Sequence, residues 1–207
     1  VKRRMIRQAV QQMRSYQLPT FSPSSRERGI NLIGYIQGET GLGQSCRLVA
    51  GALEASGLPY TIYNYQQVSS IRSSDHSWDR KISDQAPYDI NLFHITPYEV
   101  PLAFTTLTPK FWDGRYNIAF WLWELEEIPE EWKDSLRCFQ EVWTPAEFVS
   151  DSIRLATDKP VYTVPYYLQA AADSTIRRGR FGLPEIGRAS CRGRVEISVG
   201  AGSFKKK

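Results

Sequence analysis

Three places in the sequence combine residue types and spacing that could do chemistry. In "GETGLGQSCR" (38–47), Gly38, Gly41 and Gly43 stand between the apolar run "INLIGYI" and a helical pattern. A glycine turn after a strand and before a helix lets the backbone approach a ligand. The free N–H groups at the helix start can then hold an anion. The pattern here is G-x-x-G-x-G, which matches neither the dinucleotide fingerprint nor a P-loop with its Lys-Ser/Thr pair. A phosphate, a sugar and a tight turn all fit it. The second place is "AFWLWELEEIPEEW" (119–132), where Glu124 and Glu126 follow Trp123 just beyond an apolar strand. An indole can stack on a sugar ring and a carboxylate can accept hydroxyl protons. The same residues also read as a buried central strand followed by acids that complement a helix dipole. The third is His94, near the end of "DINLFHI", either a hydrogen-bonded core or rim residue or a group at the sheet end where ligands gather.

Other chemistries lack their residues. His76 lies in the polar loop "RSSDHSWD" and is assigned no role. Of the three cysteines, Cys191 belongs to the terminal segment set aside below; the two histidines and the widely separated Cys46 and Cys138 give no metal-ligand spacing, so no metal is expected. There is no G-x-S-x-G nucleophile elbow. The cysteine usage fits a reducing, cytoplasmic setting, and no apolar run reaches the length of a membrane span.

The elements that must position these residues follow from periodicity. Residues 1 to about 17 place Met5, Ile6, Ala9, Val10 and Met13 on one helical stripe, with Arg3, Arg7 and Arg14 off it. We expect this amphipathic helix to dock its stripe on the domain or on a partner upstream of it; a basic helix lying on a membrane surface, making the chain membrane-peripheral, is the alternative. A Pro/Ser linker, "LPTFSPSSRERG", follows. Strands are expected over "INLIGYI", "YTIYNY", "DINLFHI", "YNIAFWLW" (116–123), "EVWTP" and "VYTVP". Between them, a helix over 44–56 presents Leu48, Val49, Ala52 and Leu53 and is closed by Gly57 and Pro59. Further helices are expected from Pro129 to about Phe139 and over "AEFVSDSIRLA". Alternating strands and helices predict an α/β fold, a doubly wound and mostly parallel Rossmann-like sheet with an N-terminal amphipathic helix.

The net charge of +4 would suggest nucleic acid as a partner if it belonged to the domain. It does not. Residues 185–207 hold six of the 26 Lys and Arg and two of the 22 Asp and Glu, which leaves twenty of each in 1–184. That last segment, "EIGRASCRGRVEISVGAGSFKKK", has no period and resembles the translated sequence of a short-read sequencing adapter. The expected organisation is therefore a helix and linker over 1–28, one domain over 29–184 and a non-native tail over 185–207, with no nucleic-acid partner.

The order of "GYIQGETGLGQSCRLVAGALEASGLPY", "FWLWELEEIPEEW", "EVWTPAEFVSDSI" and "KPVYTVPYYL" resembles the N-terminal half of family 4 glycosyltransferases, retaining enzymes of the GT-B fold. The resemblance runs from about Gly29 to Pro184. It implies an acceptor-binding Rossmann-like domain facing a second domain that binds the nucleotide-sugar donor, with no other cofactor. It further implies transfer of a sugar to the hydroxyl of a sugar, glycan or lipid-linked acceptor, on a chain that is one half of the enzyme and inactive alone. The glycine loop would border the cleft through Gly41, Leu42 and Gly43, and His94 matches a histidine that contacts the transferred sugar. "VPYYL" departs from the commoner Asn or His after the proline, which leaves Tyr166 without an inherited role. A non-catalytic carbohydrate- or protein-binding α/β module is the alternative reading.

Overall fold

The computed structural model describes residues 2–15, 20–22, 26–66, 71–168 and 175–182. The apolar runs become strands β1 (Glu27–Gly34), β2 (Tyr60–Asn64), β3 (Tyr88–His94), β4 (Tyr116–Phe120), β5 (Glu141–Thr144) and β6 (Val161–Thr163). They form one six-stranded sheet in the order β2-β1-β3-β4-β5-β6, and every neighbouring pair is parallel. The predicted doubly wound Rossmann-like α/β class is what is found. The strand order reverses between β1 and β3, the point at which open sheets of this kind leave a crevice at their carboxyl ends.

Pleat sends neighbouring residues to opposite faces, and both faces are covered. Ile33, Phe93, Ala119 and Val142 enter one core with Trp112, Phe139 and Ile153. Leu32, Ile62, Leu92, Ile118 and Phe120 enter the other, against Cys46, Val49, Ala50 and Leu53 of helix α2 (Gly41–Ser56). Burial on both faces explains the absence of apolar and polar alternation in these strands.

Register is fixed by a row of buried asparagines. Asn31, Asn91 and Asn117 pair across β1, β3 and β4. Asn31 Nδ2 donates to Asn91 Oδ1 at 2.9 Å, and Asn91 Nδ2 donates to Asn117 Oδ1 at 2.9 Å. The ends are also satisfied: Asn117 donates to the Trp112 and Arg115 carbonyls, and Asn31 Oδ1 accepts from Tyr88 N–H. A slip of one residue would bury several unpaired amides, so the row selects a single alignment.

Helix α1 (Lys2–Ser15) buries Ile6, Ala9 and Met13 and packs on α3 (Val100–Thr106). Of the predicted stripe, Met5 faces out at 49% exposure and Val10 is half-buried. Met13 Sδ lies 3.5 Å from Cys138 Sγ, and Arg14 pairs with Asp134.

Several boundaries differ from the sequence reading. Helix α2 starts at Gly41, three residues earlier than expected, because Thr40 caps it: its extended backbone (φ −137°) lets Oγ1 accept from Gly43 N–H at 3.1 Å. Gly57 ends it in the left-handed region at φ 70°, as the pattern predicts. Strand β4 ends at Phe120, not at residue 123. The expected helix from Pro129 is a 3-10 turn, Glu130–Trp132, followed by the short α5 (Lys133–Leu136). Two helices were not anticipated, α3 and α4 (Pro109–Trp112), separated by Thr108 at φ 63°. Their prolines and threonines have low helix propensity, which burial of Val100, Ala103, Phe104 and Trp112 overrides. Helix α6 (Glu147–Arg154) falls within its predicted span.

The chain divides into two units, Val1–Leu168 and Gln169–Lys207. In the second, the described residues contain a 3-10 turn, Arg178–Phe181, ended by Gly182 at φ 63°. The predicted non-native tail, 185–207, lies outside the described residues, as does part of the linker. Among the described residues no helix is long and apolar enough to cross a membrane.

Candidate functional site

The carboxyl ends of β1 and β3 meet at Gly34 and His94, which are register partners. Gly34 has no room for a side chain: a Cβ there would lie 2.7 Å from Cys46 Sγ and 2.9 Å from the His94 carbonyl oxygen. Sheet and α2 therefore approach closely beneath the crevice.

The three glycines above this point do different work. Gly43 is buried, and a Cβ on it would meet the Gly38 carbonyl oxygen at 2.0 Å, so it lets the first turn of α2 pack on the loop before it. Gly41 is exposed and a Cβ on it would meet nothing within 4 Å. Neither has a positive φ, which removes a left-handed turn as their reason. Leu42 is half-buried against the core that contains Phe93. Thr40 satisfies the Gly43 N–H, while the Gly41 and Leu42 N–H groups have no partner among the described residues. Two free donors at the start of a 16-residue helix form an anion-attracting end.

The loop is braced from outside. Gly38 bridges to Ser73, Glu39 N–H donates to the Arg72 carbonyl at 2.8 Å, and Arg72 pairs with Glu39 at 3.1 Å. Arg47 of α2 donates to the Ile36 and Gly38 carbonyls at 2.8 and 3.0 Å and pairs with Asp75 at 3.2 Å. The surrounding charges are thus matched in pairs.

His94 ends β3 as predicted, but it has no exposure. Its Nε2 lies 2.7 Å from Ser45 Oγ, Ser45 in turn bonds the Tyr166 hydroxyl, and its ring stacks on Phe120 with centroids 5.0 Å apart. Burial pushes its pKa down to about 4, so the ring is neutral at neutral pH. Nδ1 is buried without a hydrogen-bond partner among the described residues. With no acid behind Nδ1, the Ser45–His94 pair lacks the third member of a nucleophilic triad.

Trp123 and Glu124 are near each other in sequence but differ in what they can offer. The Trp123 ring meets Trp132 edge-on at 4.4 Å, and its Nε1 donates to the Glu127 carbonyl at 2.8 Å. Its indole is thereby committed to holding the loop after β4. Glu124 is exposed and makes no hydrogen bond or ion pair among the described residues.

The sequence reading missed a buried acid at the same end of the sheet. Glu99, in the turn after β3, accepts from Tyr35 OH at 2.8 Å and from Thr96 Oγ1 at 2.9 Å. Tyr35 follows β1, so this carboxylate ties together the loops on both sides of the crevice. Tyr65, after β2, meets Tyr35 edge-on at 5.3 Å, and its hydroxyl has no partner among the described residues. Burial first, and the Glu99 charge second, raise both phenols far above their ordinary range. No signal of spacing marks Glu99 in the sequence. Ser45 and Tyr166 were likewise visible only as residues near the predicted motifs.

Among the described residues, no group of three His, Cys, Asp or Glu is placed to hold a metal ion. Comparisons with protein-family models, with curated proteins and with solved structures find no match to this chain.

Proposed function

We propose that this chain is the acceptor-side half of a retaining glycosyltransferase of the family 4, GT-B kind, which moves a sugar from a nucleotide-sugar to an acceptor hydroxyl. The observation that carries the reading is the start of α2 at the β1/β3 crevice. There, Gly41 leaves open space and the Gly41 and Leu42 N–H groups are unpaired.

Donors of this kind suit the oxygens of a diphosphate leaving group, whose charge grows as the glycosidic bond breaks. Same-face transfer depends on holding that charge and the acceptor hydroxyl in a closed cleft more than on a strong protein base. A neutral, buried His94 fits such a site as a support for the α2 turn through Ser45, not as a cation or a solvent-exposed base. Glu124 and the Gly41–Gly43 turn would border the cleft, and the opposing wall would come from a donor-binding domain. Cytoplasmic placement and contact with a membrane belong to the same proposal.

The test is transfer by the complete gene product, assayed with UDP-, GDP- and ADP-sugars against glycan and lipid-linked acceptors. Donor-dependent glycosylation that disappears on Gly41→Val, with folding intact, supports the reading. An intact product that hydrolyses and transfers none of these donors leaves the α/β domain as a binding module.

A further inference from the structure

A cleft of about 930 Å³ opens between α1, the turn that carries Tyr98 and the segment Glu130–Asp134. Its volume lies at the upper end of the range for small-molecule sites. The walls come from segments between β3 and β5, and a helix that precedes β1 forms the roof.

Its chemistry is specific. Arg7, Gln11 and Arg14 recur along one face of α1 at helical spacing and all line the space. Opposite them, Lys133 is paired with Glu130 at 2.7 Å, and Asp134 is paired with Arg14. Arg7 and Glu131 carry no ion pair or hydrogen bond among the described residues. Tyr98, 37% exposed, adds an aromatic ring to the wall. The lining has three basic and three acidic side chains, so it offers many planar hydrogen-bonding groups and no net charge. A balanced wall does not favour a pyrophosphate-bearing or other strongly charged ligand. Planar guanidinium, carboxamide and carboxylate groups can each engage two hydroxyls, and a tyrosine ring can cover the apolar face of a pyranose.

We infer that this cleft binds a neutral glycan, with Arg7, Gln11 and Glu131 as its hydrogen-bonding groups and Tyr98 as its platform. The inference does not depend on the transferase proposal, because a binding isotherm reads this site whether or not sugar is transferred.

The experiment is calorimetric titration of the full chain with maltotriose, mannotriose and chitotriose, and with sialyllactose as the charged comparison. At least one neutral trisaccharide should bind at millimolar concentration or below, and more tightly than sialyllactose. Arg7→Gln and Glu131→Gln, both on exposed side chains, should each weaken it about tenfold, as expected for loss of a hydrogen bond to a charged group. Tyr98→Ala should weaken it as well. Arg28→Gln, an exposed cation at the opposite end of β1, should leave it unchanged. The inference is overturned if none of the three neutral sugars binds, if sialyllactose binds best, or if Arg7→Gln and Glu131→Gln leave binding intact.

Discussion

Ser45 Oγ, on the second turn of α2, lies 2.7 Å from Nε2 of His94, the last residue of β3. This contact joins the helix that follows β1 to the strand on the other side of the sheet's reversal point. The candidate crevice is held open by that link, by Arg47 on the loop carbonyls, and by Glu99 between Tyr35 and Thr96. All three draw on hydrogen-bonding groups withdrawn from solvent, and such groups are costly to leave unmatched.

The buried His94 makes stability depend on pH in a defined direction. Its folded pKa of about 4 is below the ordinary 6.5, so the unfolded chain binds the extra proton. The stabilisation is complete above about pH 6.5 and is lost as pH falls towards 4, by on the order of 3 kcal/mol over the full window. Between pH 6.5 and 5 the unfolded chain takes up this proton and the folded chain does not, so His94 makes stability fall with pH in that interval. Urea unfolding should show stability falling with pH there, and His94→Gln should flatten the dependence. A His94 imidazole that titrates near 6.5 by NMR would contradict it.

Asn91 sits at the centre of the asparagine row and bonds both neighbours. Asn91→Ala removes a donor and an acceptor, leaving Asn31 and Asn117 with unmatched buried groups. We expect a loss of about 2–4 kcal/mol in denaturant unfolding. Asn31→Ala should cost a comparable amount, because Asn31 also donates to the Tyr88 and Ile90 carbonyls and accepts from Tyr88 N–H.

How much of this was legible in the sequence varies with how local the cause is. The six strands could be read from short apolar runs, because burial on both faces leaves its mark on each segment alone. The Gly57 cap was legible for the same reason. The start of α2 was not, because three glycines outweighed Thr40, although a threonine before a helical pattern is itself a capping signal. Helices α3 and α4 were hidden by Pro101, Thr105, Thr106 and Pro109, whose propensities oppose the structure that packing imposes. At the site, the position of His94 was legible and its burial was not. Burial comes from Phe120 and Tyr166, brought together by β4 and by the segment after β6. Likewise, the contrast between Gly41 and Gly43 depends on the Gly38 carbonyl facing one of them and not the other.

Met13 is 1% exposed against Cys138, a buried thiol whose pKa burial pushes up to about 12. Cys138 should therefore react slowly with a thiol reagent in the folded chain. Met13→Ala should lower stability by about 2–3 kcal/mol and speed labelling of Cys138 as α1 loosens. Unchanged labelling would show that α1 does not shield this thiol. Cys46, on the buried face of α2, provides the internal comparison.

The two glycines of the α2 start give opposite expectations, and comparing them tests whether this turn serves a ligand. Gly43→Ala drives a methyl into the Gly38 carbonyl oxygen, and because that neighbour is backbone the helix or the loop must move. Unfolding measurements should record a loss of about 2 kcal/mol or more. Gly41→Val meets no atom and needs no unusual φ, so stability should change by no more than about 1 kcal/mol. Its effect falls on the space outside the helix, where an approaching diphosphate would have to reach the Gly41 and Leu42 N–H groups. In the transferase proposed above, Gly41→Val should therefore lower kcat/KM at least about a hundredfold per folded molecule, a loss of about 2.7 kcal/mol in transition-state stabilisation. Full activity in a stable Gly41→Val protein would mean that nothing approaches the α2 start. The reading of this crevice as a donor-facing site would then fail, while the fold and the packing role of Gly43 would stand.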